Sequence, residues 1–246
     1  MTDKTPQNEQ FEEGRTLARA IVTSLDMWSD PFYFRFLNQD QPGALDADWF
    51  ERFAGEWGVA RTIKKEKVVA VRRYLDDKFR RRLASRPGAS AVDEAARHIQ
   101  DNRWSAQERK DGKASLPLSL VSKIGFFFRP ADLVPYDNYA RRGLDRLRGK
   151  KKLGGAGFFR GTSYAEYLEA FDDQFSRKRE QIHEALMEPW VTALAGKFGC
   201  PSDALASVAM ERKTFDNFLM FLAGRGSRDS GERTPETTGG RTDLTG

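Results

Sequence analysis

The sequence predicts an all-α protein, a compact multi-helix domain. Three observations carry this expectation. Apolar residues recur every three or four positions through successive segments, capping residues and Pro/Gly breaks punctuate those segments, and no stretch sustains the alternation of a strand. At 246 residues with 18 Phe, the chain can bury a substantial core filled by bulky side chains. We read residues 9–223 as a single domain, 1–8 as a flexible N-terminus, and 224–246 as a disordered tail of Gly, Ser, Thr and charged residues.

The first helix covers residues 9–28, with Phe11, Leu17, Ile21, Leu25 and Trp28 on one stripe. Asp30 is placed to cap a short aromatic helix, Phe32 to Leu37, with Pro31 at its first position and Gln41-Pro42-Gly43 closing it. Asp48 and Glu51 have capping-box spacing before Trp49, Phe53 and Trp57, which recur every fourth residue as far as Gly58. From Lys64 to Ser85, Val68, Val71, Leu75 and Phe79 form one apolar stripe and basic residues fill the remaining faces. Pro87-Gly88 breaks the chain before a helix carrying Val92, Ala95, Ala96 and Ile99 and ending near Asn102, and the polar stretch 104–114 reads as a loop.

Residues 116–147 then read as an apolar helix, a turn bounded by Pro130 and Pro135, and a basic helix opened by Asp137. A glycine- and lysine-rich connector follows over 149–157, and no strand precedes it, so a phosphate-binding loop is not indicated. Ser163 and Glu166 have capping-box spacing ahead of a long stripe of Tyr164, Leu168, Phe171, Phe175, Ile182 and Leu186. Pro189 interrupts that pattern, Trp190 to Phe198 resume it, and Gly199-Cys200-Pro201 turns the chain into a last helix with Phe215, Phe218, Leu219 and Leu222.

Charge is unevenly spread. The net charge is +5, yet residues 1–60 hold 11 acidic and 5 basic side chains, residues 61–86 hold 11 basic and 3 acidic, and residues 141–160 hold 8 basic and 1 acidic. Segregation of this kind suits a polyanion such as DNA, and it equally suits solvated helix faces. The cations in question are Arg72, Arg73, Arg80, Arg81, Arg141, Arg142, Lys150, Lys151 and Lys152. The single cysteine, Cys200, forms no intrachain disulfide and fits a reducing, cytoplasmic setting. No apolar run approaches the roughly 20 residues that span a bilayer, and the N-terminus lacks a signal peptide's apolar core, so no membrane partner is expected. His98 and His183 belong to no metal-ligand motif, and neither a metal nor another cofactor is implied.

Two residues have a pattern that suggests chemistry. Lys123 lies inside the apolar run Leu116 to Phe128, where burial disfavours the ammonium and frees the amine as a nucleophile. The plainer reading is a lysine that reaches solvent or pairs with a carboxylate. Asp137 stands at a helix start, where it would accept amide hydrogen bonds, and the sharper reading is a carboxylate stabilising positive charge on a sugar.

The segment Val134-Pro135-Tyr136-Asp137-Asn138-Tyr139-Ala140-Arg141-Arg142 resembles the Pro-Val-Asp-Thr-His-Val-x-Arg segment of the helix-hairpin-helix DNA base-excision glycosylases, particularly the 8-oxoguanine glycosylase branch. Pro135, Asp137 and Arg142 match in identity and spacing. The resemblance implies an aspartate essential to base excision and, in bifunctional members, an upstream lysine that forms a Schiff base with the sugar, for which Lys123 is the counterpart. Leu118-Ser119-Leu120-Val121-Ser122 stands where the family carries its hairpin glycines, and Tyr139 replaces the family's histidine.

Two functions follow from the sequence. One is a DNA glycosylase in which Asp137 stabilises the transition state, Lys123 attacks the sugar, and Arg142 orients Asp137 or contacts phosphate. The other is a noncatalytic helical module that holds nucleic acid or an acidic partner through its basic residues.

Overall fold

The computed structural model describes residues 6–37, 43–106, 116–149 and 163–224, and these are helical apart from turns and short connections. Among them the β structure is an isolated antiparallel bridge, Ile63 with Ser105. The expected loop from Trp104 therefore begins pinned, with Lys64 N–H donating to Trp104 O (2.9 Å) and Ala106 N–H to Thr62 O (2.9 Å). The rest of that loop, the connector beyond Gly149 and the tail after Gly224 lie outside the described residues.

The helices are α1 Pro6–Ser29, α2 Pro31–Leu37, α3 Ala47–Glu56, α4 Val68–Tyr74, α5 Arg80–Ser85, α6 Gly88–Asp101 and α7 Leu118–Phe128. They continue as α8 Asn138–Leu147, α9 Tyr164–Leu186, α10 Pro189–Phe198, α11 Ser202–Leu205 and α12 Val208–Leu222. Helix α1 begins at Pro6, so it takes in part of the stretch expected to be a flexible N-terminus. Helices α4 and α5 run on through one wide π-turn, Leu75–Phe79.

Local signals account for most boundaries. Asp30 Oδ1 accepts from Phe32 N–H (2.8 Å) at the head of α2, and both arms of the Ser163–Glu166 capping box close on α9. At α3 the cap is Asp46, whose extended backbone (φ −66°, ψ 170°) lets Oδ1 accept from Trp49 N–H at 2.7 Å. The expected cap, Asp48, sits inside the first turn. Phe11, expected on the buried stripe of α1, is 66% exposed, with the Arg15 guanidinium 5.9 Å from its ring centre.

Helix α7 is apolar apart from Ser119, Ser122 and Lys123, and all its residues except Ser119 are buried. Phe127 meets Tyr33, Trp49, Phe53 and Trp57 with ring centroids 5.1–5.8 Å apart, which joins α2 and α3 to α7. Helix α12 packs on α1 and α8, and it crosses α8 so closely that Gly143 faces the Leu219 backbone with no room for a Cβ. Among the described residues no helix is long and apolar enough to cross a membrane.

Candidate active site

Lys123 occupies the sixth position of α7 and is 6% exposed. Its Nζ donates to the Trp57 carbonyl oxygen at 2.9 Å and stands 3.5 Å from Asp137 Oδ2. That carbonyl is available because Trp57 ends α3 just before Gly58, whose φ of +64° turns the chain away. The Trp57 ring also lies beside the amine, with Nζ 5.9 Å from its centroid.

Asp137 is held from two directions. Its Oδ1 accepts the Tyr139 N–H at 2.8 Å, capping α8 as expected, and this leaves Oδ2 to face Lys123. The segment leading to it is anchored residue by residue. Tyr164 Oη accepts from Val134 N–H (3.0 Å) and donates to Val134 O (2.6 Å), Tyr167 Oη donates to Pro135 O (3.2 Å), and Ser122 Oγ accepts from Tyr136 N–H (2.8 Å). Two residues far apart in helix α7 and the α8 cap are thereby fixed at contact distance. The Asp137 side chain is 21% exposed against 8% for Lys123, so an incoming molecule meets the carboxylate first.

Burial dominates the electrostatics. It pushes the Lys123 amine below the ordinary lysine value, and Asp137, chiefly, and then Asp216 oppose the shift. The phenol of Tyr167 is raised well above its ordinary value by the same cause. At 3.5 Å the contact with Asp137 is long for a hydrogen bond, which fits a carboxylate that only partly offsets the loss of water.

Helix α12 contributes polar groups that the sequence reading missed. Lys213 Nζ donates to Asp216 Oδ2 (2.5 Å) and Asn217 Oδ1 (2.9 Å), and stands 5.4 Å from the same Trp57 ring centroid. Asn217 Nδ2 and Thr214 Oγ1 extend this network to Ser24 Oγ on α1 at 2.9 and 3.2 Å. A signal was present in Lys213-Thr214-Phe215-Asp216-Asn217-Phe218, where a lysine meets its partners three and four residues on, inside an aromatic stretch.

The predicted cations divide into four groups. Arg72 donates to the Leu45 carbonyl, and Arg80 donates to the Gly43 carbonyl and pairs with Asp76 at 2.8 Å, so both brace the 43–45 segment. Arg73 and Arg81 are exposed, although Arg81 Nε donates to Asp77 O at 3.0 Å. Arg141 bonds Asn138 Oδ1 at 2.9 Å, and Arg142 lies 6.0 Å from the Tyr139 ring centre. The hydrogen bonds to the Asp137 carboxylate come from Tyr139 N–H and Lys123. Lys150, Lys151 and Lys152 lie outside the described residues.

The chain matches no family model, no curated protein and no solved structure. The remaining candidate groups have local partners. His98 stacks on Tyr74 (4.2 Å between centroids), His183 Nδ1 lies 2.8 Å from the buried Glu211, and the Cys200 thiol is pushed up to about 11 by burial. Among the described residues no group of three or more His, Cys, Asp or Glu is arranged to hold a metal ion.

Proposed function

We propose that this protein is a DNA glycosylase-like enzyme that binds DNA and excises a modified base by cleaving its N-glycosidic bond. The observation that carries the reading is the pairing of Lys123 with Asp137, a desolvated amine 3.5 Å from a carboxylate whose other oxygen is fixed by a helix N-terminus. Those are the two groups that the resemblance to base-excision glycosylases singles out.

In this scheme the base is drawn out of the duplex and its sugar approaches from the exposed side of Asp137. The Asp137 carboxylate stabilises the oxocarbenium character that develops at C1′ as the glycosidic bond lengthens. The neutral Lys123 nitrogen bonds to C1′, the base leaves with the electrons of the broken bond, and the proton released by the amine balances the charge on the departing base. The nitrogen lone pair then expels O4′, which takes the electrons of the C1′–O4′ bond and a proton from water, and the opened sugar is left as a protonated Schiff base between Lys123 and C1′. Exposed Arg73 and Arg81, with Arg141, Arg142 and the lysines of the connector, would hold backbone phosphates. A base-excision role in the cytoplasm agrees with a chain that has one cysteine and needs no disulfide.

The test is a panel of oligonucleotides carrying modified and mismatched bases, incubated with and without borohydride. Wild type should release at least one base and form a covalent adduct, Lys123→Gln should form no adduct, and Asp137→Asn should release base about 100-fold more slowly or worse. A second reading, a noncatalytic nucleic-acid-binding module, draws on Leu118 to Ser122 being the opening turns of α7, without the hairpin glycines. Retention of DNA with no base release across the panel would select it.

A further inference from the structure

Behind the Lys123–Asp137 pair lies a second ion pair that the proposed chemistry does not use. Lys213 and Asp216 are 4% and 0% exposed and lie one helical turn apart on α12, joined at 2.5 Å. A pair buried so deeply is a poor source of stability, because desolvation of both charges offsets their attraction. Its place is specific, since the Lys213 and Lys123 ammonium nitrogens stand 5.4 and 5.9 Å from one ring centroid, that of Trp57. Asp216 gives Oδ2 to Lys213, while its Oδ1 is buried and accepts no hydrogen bond. A carboxylate with a spare buried oxygen attracts any ammonium within reach.

We propose that Lys213 is a positioning residue for Lys123: held by Asp216 and Asn217 against the Trp57 ring, it neutralises the buried carboxylate that would otherwise capture Lys123, and so keeps the Lys123 amine turned toward Asp137. The inference rests on Lys123 being the nucleophile of the proposed reaction. Two ammonium groups beside one ring repel each other, and Lys213 is the more firmly held, with bonds of 2.5 and 2.9 Å against 2.9 and 3.5 Å for Lys123. The charged and titratable groups around Lys123 are Asp137 at the head of α8 and Lys213 and Asp216 on α12, with the phenols of Tyr136 and Tyr167 close to that group and kept protonated by burial. Asp216 favours the charged form of Lys123 and Lys213, by less, opposes it, so each member of the pair offsets part of the other's effect on the amine.

The experiment is a pH titration of full-length protein labelled with [13Cε]lysine, with the Lys123 resonance assigned by its loss in Lys123→Met. Lys213→Met should raise the Lys123 midpoint by about one pH unit or more, a tenfold loss of neutral amine at a given pH. Asp216→Asn should lower the midpoint, and Lys213→Met/Asp216→Asn should return it to within about half a unit of wild type. Asp216→Asn and the charge-balanced double variant decide the matter even if Lys213→Met does not fold. Midpoints that stay at the wild-type value in both single variants, or in Asp216→Asn alone where Lys213→Met is lost, overturn the role. The readout needs no DNA, so failure of wild type to release a base would count against the proposed function only, whereas base release with an immovable midpoint would count against Lys213 only.

Discussion

Replacing Gly143 with alanine tests the close crossing of α8, which Asp137 caps, and α12, which carries Lys213. A Cβ at this position would lie 2.0 Å from the Leu219 carbonyl oxygen, 2.6 Å from its carbon and 2.8 Å from Leu219 Cα. All three are backbone atoms, so no change of rotamer relieves the overlap. Recovering an ordinary contact near 3.4 Å requires α8 and α12 to separate by about 1.4 Å. Overpacking of this kind costs about 1–3 kcal/mol, and a rigid backbone neighbour places it near the top of that range. Alanine's helix propensity returns about 1 kcal/mol, leaving a net loss of about 2 kcal/mol, or roughly 4–8 °C in Tm for a chain of this length. Calorimetry should show that drop. Gly55→Ala in α3 and Gly196→Ala in α10, where a Cβ meets nothing within 4 Å, should instead raise stability by about 0.5–1 kcal/mol. A Gly143→Ala protein that melts at or above the wild-type temperature would refute the close-crossing argument. Base release should fall with stability, because the crossing carries the Asp137 cap on one helix and Lys213 on the other, and a displacement near 1 Å can cost about 100-fold.

Asp137→Ala should melt about 1 kcal/mol below Asp137→Asn, since asparagine caps α8 as well as aspartate does and both variants remove the charge that faces Lys123. Arg72→Gln and Arg80→Gln should lower Tm through the loss of their bonds to Leu45 and Gly43, whereas Arg73→Gln and Arg81→Gln should leave Tm nearly unchanged and instead flatten the salt dependence of DNA retention by about one unit each. The pH dependence of folding should expose Asp216, whose carboxyl burial raises above its ordinary 3.8. The folded state holds that proton more tightly than the unfolded chain, so the contribution is complete below about pH 3.8 and is lost as pH rises through the raised folded value. Denaturant titrations should therefore show wild type losing stability relative to Asp216→Asn as pH increases above about 4, and a constant difference would contradict the assignment.

Elements fixed by neighbouring residues were legible in the sequence. The capping box of α9 and the Asp137 cap of α8 depend on contacts within three residues, and both form as expected. The α3 cap was misplaced by two residues because Asp46, before the helix, and Asp48, inside its first turn, both stand near its start and Glu51 favours the wrong one by pattern alone. Lys213 and Asp216 were hidden for a different reason. Charged residues in a helix read as its solvent face, but α1, α8 and α9 surround α12 and bury Glu211 to Asn217 whatever face they occupy. The same long-range packing brings Trp57 to Lys123 across 66 residues, a contact with no signature in either segment.

Arg72 and Arg80 both reach the 43–45 segment although eight residues separate them. In a regular α-helix, eight steps of about 100° would leave them about 80° apart around the axis. The wide turn at Leu75–Phe79 absorbs one residue, leaving seven effective steps that end about 20° short of two full revolutions. The helix thus carries one residue more than its geometry needs, as an insertion taken up in place would leave it. Deleting the exposed Lys78 would let the turn relax to ordinary α pitch with both arginines still on the same side, so the chain can change length here without losing its register.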